Sequence, residues 1–197
     1  MNPSTYKPCW SCKGPVASGL AFCDTCQAVQ PPGQADHFAR LGLARTFALD
    51  GVELERCYMM LQRRLHPDRF ATRGGREREL SMQQATSLND AYETLHSPLR
   101  RAEYLLALAG EVPSANDTEV LMEVFADRET LAEADGDGVS ALADDVALRR
   151  EACIAALGKA FAGDRLTEAG VLTSRLAYLD KLASEARVRR VALAESA

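Results

Sequence analysis

Four cysteines lie near the N-terminus as CWSC and CDTC, at positions 9, 12, 23 and 26, in the spacing C-x2-C-x10-C-x2-C. Each short pair lets two thiolates face one ion from a tight turn, and two such turns complete the four-thiolate shell that a structural Zn(II) prefers. Gly14, Pro15 and Gly19 supply the turn chemistry between them. Iron in a rubredoxin-like site would use the same ligands. With Cys9, Cys12, Cys23 and Cys26 filling every position, no coordination site stays open, so the expected role of the metal is to fold this segment. Cys57 and Cys153 sit instead within apolar helical patterns and are expected to be core thiols.

A second constellation is RRLHPDRF, residues 63 to 70. Pro67 disfavours helical geometry at His66 and stops a helix there, leaving the imidazole and the Asp68 carboxylate on a short loop. His66 as a general base oriented by Asp68 would be an enzymatic reading. It lacks a nucleophile in the same motif, a glycine-rich phosphate cradle and a second histidine cluster, so the chain is expected not to be an enzyme. His37 and His96 are expected to face solvent or cap helices. Rigid polar groups on a loop suit docking to another protein.

The elements that must position these groups are helices. From Val52 to His66 the apolar residues Leu54, Tyr58, Leu61 and Leu65 recur at i, i+4, i+7 and i+11, which buries one face. Arg56, Arg63 and Arg64 lie off that stripe, the first two nearly superimposed along the axis. ATRGGRERE reads as a continuing loop, followed by a second helix marked by Ala85, Leu88, Tyr92 and Leu95. HFARLGL, residues 37 to 43, is a short element expected to pack across the pair. Ser97 and Pro98 interrupt the second helix and cap a further one that ends at Gly110.

Three more helices follow. DTEVLMEVFADRETLAEA, residues 117 to 134, opens with a cap signal at Asp117 and Thr118 and carries a stripe of Val120, Val124, Leu131 and Ala134. Leu121, Met122 and Phe125 point about 100 to 200 degrees away from it and make a second apolar surface. ADGDG is expected to be a turn before a helix with Leu142, Val146, Cys153 and Leu157. In the last helix Ala169, Leu172, Leu176, Leu179 and Ala183 form a core stripe, with Val171, Tyr178 and Leu182 on another side. Short polar connections suggest an antiparallel three-helix bundle. The second stripes either bury against the preceding helices or mark a docking surface.

The expected architecture is therefore all-α. It comprises a tetracysteine head and linker (1–33, ending in QPPG), a helical hairpin unit (34–109) and a C-terminal bundle (110–197). A net charge of −5 argues against general polyanion binding, and only Lys7 and Lys13 are cationic in residues 1 to 33, so nucleic acid is not an expected partner. No apolar run approaches the roughly 20 residues that span a bilayer, and the N-terminus has no signal-peptide pattern. A cytoplasmic chain with reduced thiols and no membrane partner is the expectation.

The short helix, the basic-faced helix ending in HPD, and NDAYETLHSPLRRAEY together resemble a J-domain. Asn89, Ala91, Tyr92, Leu95, Pro98, Arg101, Ala102 and Tyr104 match its third-helix pattern. The resemblance implies that His66, Pro67 and Asp68, with Arg56, Arg63, Arg64 and Arg69, contact a DnaK-type or HscA-type chaperone and stimulate its ATP hydrolysis. Arg69 stands where lysine is common. LMEVFADRETLAEA and SRLAYLDKL are similar to the recognition segments of HscB-type J-proteins of iron-sulfur cluster assembly, over roughly residues 35 to 190. That family's pattern implies an IscU-type scaffold held by Leu121, Met122, Phe125, Arg128, Glu129 and Tyr178, with Ala126 a departure from a commonly acidic position. A general J-domain co-chaperone with another client is the alternative. For the head, pairing two copies as a homodimer, contacting the scaffold and stabilising the N-terminus all remain open.

Overall fold

The computed structural model describes residues 6–17, 19–114 and 118–195, and Asp117, the expected cap, lies outside them. The chain forms two compact units that divide between Ser97 and Pro98. This boundary differs from the expected segments: the head joins the hairpin unit, and the helix after Pro98 joins the C-terminal unit.

In the first unit, strands β1 (Tyr6–Pro8) and β2 (Pro15–Ala17) pair antiparallel, a ribbon that the cysteine spacing did not announce. Helix α1 (His37–Leu41) is capped by Asp36, whose carboxylate accepts from the Ala39 amide at 2.8 Å. It packs on α2 (Gly51–Leu65) and α3 (Gly75–His96), with Phe38, Leu41, Leu54, Leu65, Leu88 and Leu95 buried among them. Tyr58 of α2 stacks on Tyr92 of α3 with ring centroids 4.1 Å apart and donates to Asn89 at 3.1 Å, which sets the register of the hairpin. Cys57 is buried as expected.

α3 begins at Gly75, so RERE is helical and not loop. Arginine and glutamate are good helix formers, and Glu77 sits favourably in the first turn. This turn carries no apolar stripe, so periodicity could not announce it. Gln84 occupies a buried position on the α3 stripe between Leu80 and Leu88.

The second unit contains α4 (Pro98–Ala109), α5 (Thr118–Glu133), α6 (Gly136–Ala162) and α7 (Leu166–Glu195). Helix α4 stops at Gly110, whose φ of 80° is the left-handed geometry glycine tolerates. It packs on α7, burying Ala102, Leu105 and Leu106. α5, α6 and α7 form the expected bundle, with Val120, Val139, Val146, Leu157 and Leu176 in its core. ADGDG is not a free turn, because Asp135 caps α6 through the Gly138 amide at 2.9 Å and the helix runs through both glycines. Leu182 is also buried, so this member of the second stripe of α7 serves packing. α7 packs against α4, α5 and α6, so its apolar stripe must be wider than one neighbour would need. Gly170 permits a close approach there: a Cβ would meet the Val112 carbonyl at 3.3 Å, tighter than most such contacts, and the Gly170 carbonyl accepts from the Ser114 amide at 3.2 Å.

Candidate functional site

The two cysteine pairs fold as repeated knuckles. The Lys13 amide donates to the Cys9 carbonyl at 3.0 Å, and the Gln27 amide donates to the Cys23 carbonyl at 2.9 Å. Lys13 and Gln27, each directly after a second cysteine, have φ of 65° and 59°. These left-handed residues turn the chain sharply enough for both thiols of a pair to face one point. The four sulfurs lie within 4.8 Å of one another, with Cys9 to Cys26 and Cys12 to Cys23 both at 3.7 Å. A disulfide would need about 2.05 Å. A tetrahedral ion with metal–sulfur bonds of about 2.3 Å implies sulfur–sulfur edges of about 3.8 Å, so the donor set fits one metal ion.

Burial pushes the Cys9 thiol up, but hydrogen bonds from the Cys12 and Ser11 backbones and from the Cys26 and Gln30 side chains outweigh it and lower it to about 6. Backbone hydrogen bonding from Cys26 lowers Cys23, with burial opposing. The Gly14 backbone would lower Cys12, yet its three neighbouring thiols and burial together raise it to about 11. Four thiols this close cannot all ionise unless a cation neutralises them.

The head is fastened to the helical hairpin. The Gln30 amide is buried and donates to the Ala28 carbonyl at 2.8 Å and to the Cys9 sulfur at 3.3 Å. The Gln30 carbonyl in turn accepts from the buried Gln84 amide of α3 at 2.9 Å. Arg76 lies 4.6 Å from the Trp10 ring centroid, and Arg64 lies 4.4 Å from that of Phe22. Gln30 and Gln84 were missed in the sequence, although a polar residue on the Leu80–Leu88 stripe was a readable signal for Gln84.

At the end of α2, His66 has φ −55° and ψ 127°, outside the helix, and Pro67–Phe70 make one 3-10 turn. Phe70 is buried and anchors that turn, while Arg78 holds the following loop by donating to the Ala71 carbonyl at 2.9 Å. His66 Nδ1 accepts from the Asp68 amide at 3.3 Å, so the neutral ring carries its proton on Nε2. The Asp68 carboxylate lies 3.5 Å from Nδ1, and the two side chains are 55% and 89% exposed. Arg56, Arg63, Arg64 and Arg69 are exposed. Arg56 faces Glu53 at 3.7 Å; among the described residues Arg63, Arg64 and Arg69 have no carboxylate within salt-bridge distance. Arg63, Arg64 and Arg69 thus flank the turn as exposed cations, whereas Arg56 lies about 15 Å back along α2.

His37 lies 3.8 Å from the Asp90 carboxylate, and His96 stacks on Tyr92 at 5.2 Å. Neither belongs to a cluster of metal-ligating side chains among the described residues.

In the second unit Leu121, Met122 and Phe125 are 39%, 69% and 69% exposed, so this stripe is a surface and not a second core. Arg128 beside it pairs with Glu185 of α7 at 3.2 Å, and Glu129 is exposed. Tyr178 is half-buried and lines a shallow groove with Val120, Val124, Arg128 and Leu179. Apolar side chains, a phenol and both charge signs are thus accessible on α5 and α7.

Comparison with known proteins is consistent across the length of the chain. A family model described as the HSCB C-terminal oligomerisation domain matches residues 116–187. The chain is 32% identical over 200 residues to the human iron-sulfur cluster co-chaperone protein HscB, covering 96% of this chain and 85% of that protein. It is 38% identical over 160 residues to the co-chaperone protein HscB homolog of Aliivibrio salmonicida, covering 76% and 94%. The crystal structure of human co-chaperone protein HscB is similar with a TM-score of 0.87 at 31% identity, covering 95% of this chain and all (100%) of that one.

Proposed function

Because the chain belongs to the HscB family of iron-sulfur cluster co-chaperones, we propose that it is a two-ended adaptor, with no chemistry of its own. One end, His66, Pro67 and Asp68 with Arg56, Arg63, Arg64 and Arg69, contacts an HscA- or DnaK-type chaperone and stimulates its ATPase. The other end, Leu121, Met122, Phe125, Arg128, Glu129 and Tyr178, holds an IscU-type scaffold. Holding the client on the same chain that triggers hydrolysis raises its effective concentration at the chaperone.

The observation that carries this reading is the HPD turn: a solvent-facing His-Pro-Asp group at a helix end, beside Arg63, Arg64 and Arg69, which among the described residues have no carboxylate within salt-bridge distance. Unpaired cations on a fixed edge repel one another and suit an anionic partner surface. The apolar patch on α5 has the other chemistry an interface uses, a desolvatable centre with charged neighbours. Structural Zn(II) is the ion proposed for the head, since four thiolates close a tetrahedral shell. Four closely set thiols stay available to a metal in a reducing compartment, so the adaptor is proposed to work in the cytoplasm.

The test is ATP hydrolysis by the cognate DnaK-type chaperone with the wild-type chain or its His66→Gln variant. Stimulation should vanish in the variant while its helical content is unchanged, because His66 is largely exposed. Equal stimulation by both would refute the assignment of this end.

A further inference from the structure

The arginines nearest the head do more than flank the HPD turn. Phe22, Gln27, Arg64, Arg69, Phe70 and Arg73 enclose a groove of about 210 Å³ between the second cysteine knuckle and the turn. Phe22 and Gln27 come from the head; Arg64 lies over the Phe22 ring; Phe70 is the buried anchor of the turn. Three guanidinium groups border this groove, and among the described residues Arg64, Arg69 and Arg73 have no carboxylate within salt-bridge distance. An arrangement with its cations assembled and no internal anion is built to receive one.

We propose that the tetracysteine head completes the chaperone-docking surface, and that this groove receives an acidic segment of the partner ATPase, one Asp or Glu side chain and its neighbour. The inference rests on the assignment of the HPD turn as the ATPase contact. Size disfavours a nucleotide, and chemistry favours a peptide carboxylate over a free phosphate. The groove is smaller than the roughly 300 to 1,000 Å³ of small-molecule sites. The backbone amides that border it are already used within the turn, Arg69 to His66, Ala71 to Asp68 and Arg73 to Phe70, so they cannot cradle a phosphate. Guanidinium forks matched to a carboxylate, over aromatic walls that accept the adjoining side chain, are what remains. The groove is continuous with the HPD turn through Arg69 and Phe70, so one partner surface spans both. The head then has a function that follows from its placement: its metal-closed knuckle holds Phe22 and Gln27 in position as one wall.

The experiment uses the full chain with its metal, and measures the concentration that half-saturates stimulation of the cognate chaperone. The variants are Arg73→Glu and Phe22→Leu, which lie outside the HPD group, with His66→Gln alongside; metal content and circular dichroism verify the fold. Arg73→Glu is expected to raise the half-saturating concentration at least about tenfold and to flatten its dependence on salt. Phe22→Leu keeps the apolar wall, loses the ring under Arg64, and is expected to raise it about two- to fivefold. Maximal stimulation should be retained in both. Wild-type half-saturation in both variants, with His66→Gln inactive, overturns the groove and leaves the HPD assignment standing. No stimulation by the wild type overturns that assignment and the groove with it. Micromolar binding of inorganic phosphate alone, lost in Arg73→Glu, overturns the acidic segment in favour of a small anion.

Discussion

Arginines in the two units meet opposite fates. In the C-terminal unit Arg128 faces Glu185, Arg149 faces Asp127 and Asp145, Arg150 faces Asp180, and Arg175 faces Glu123, all at 3.2 Å or less. In the first unit Arg45 also faces Asp36, but beside the HPD turn Arg63, Arg64, Arg69 and Arg73 have no carboxylate within salt-bridge distance among the described residues. Where these helices hold their neighbours, charge is neutralised in place; at the HPD turn it is not. Apolar exposure runs the other way. The C-terminal unit leaves Leu121, Met122 and Phe125 open, and the HPD turn instead keeps its one large apolar group, Phe70, buried. One chain thus presents two surfaces of different chemistry, and under the proposed function each partner would be recognised without competing for the other's site.

The largest effect expected from breaking this contrast is on the head. Structural metal in a small thiolate site is worth on the order of 10 kcal/mol, so chelation should unfold residues 6 to 30 and leave the bundle intact. Trp10 is the only tryptophan, and its indole donates to the Val29 carbonyl at 2.6 Å. Its fluorescence should therefore shift on metal removal, while helical content measured by circular dichroism changes little.

At the apolar end, Phe125→Ala should weaken scaffold binding by about 1 to 3 kcal/mol in titration calorimetry, the range of a hot-spot truncation. Its 69% exposure means that folding stability should barely change. Salt sharpens the same contrast: raising ionic strength should weaken chaperone binding clearly, because the cationic edge is exposed, and scaffold binding far less. Equal salt dependence at the two ends would remove the distinction between them. The smallest effect is expected for Glu185→Gln, which unpairs Arg128. An exposed ion pair of this kind contributes about 0 to 1 kcal/mol to stability in denaturant titration, so any larger loss would show that Arg128 serves the bundle and not a partner.

Much of this was legible in the sequence because local rules governed it. The C-x2-C repeats, the stop at Pro67 and the stripe through Leu54 and Leu65 each follow from residues close in the chain. The outward face of α5 was also readable as a second stripe, although periodicity left open whether Leu121, Met122 and Phe125 would be covered. What escaped was set by neighbours distant in sequence. Leu182 is buried because α7 touches three helices, and α4 joins the bundle because its apolar face finds α7. The groove beside the HPD turn needed Phe22 and Arg64, which lie 42 residues apart in the chain, to meet at 4.4 Å, and no spacing rule announces such a pair.

The most direct measurement of the two-ended account is single-turnover ATP hydrolysis by the cognate chaperone, with wild type, His66→Gln or Phe125→Ala, each with and without the IscU-type scaffold. The account predicts that stimulation requires His66, rises further with scaffold in the wild type, and loses only that further rise in Phe125→Ala. Full stimulation by His66→Gln, or a scaffold effect undiminished in Phe125→Ala, would contradict it.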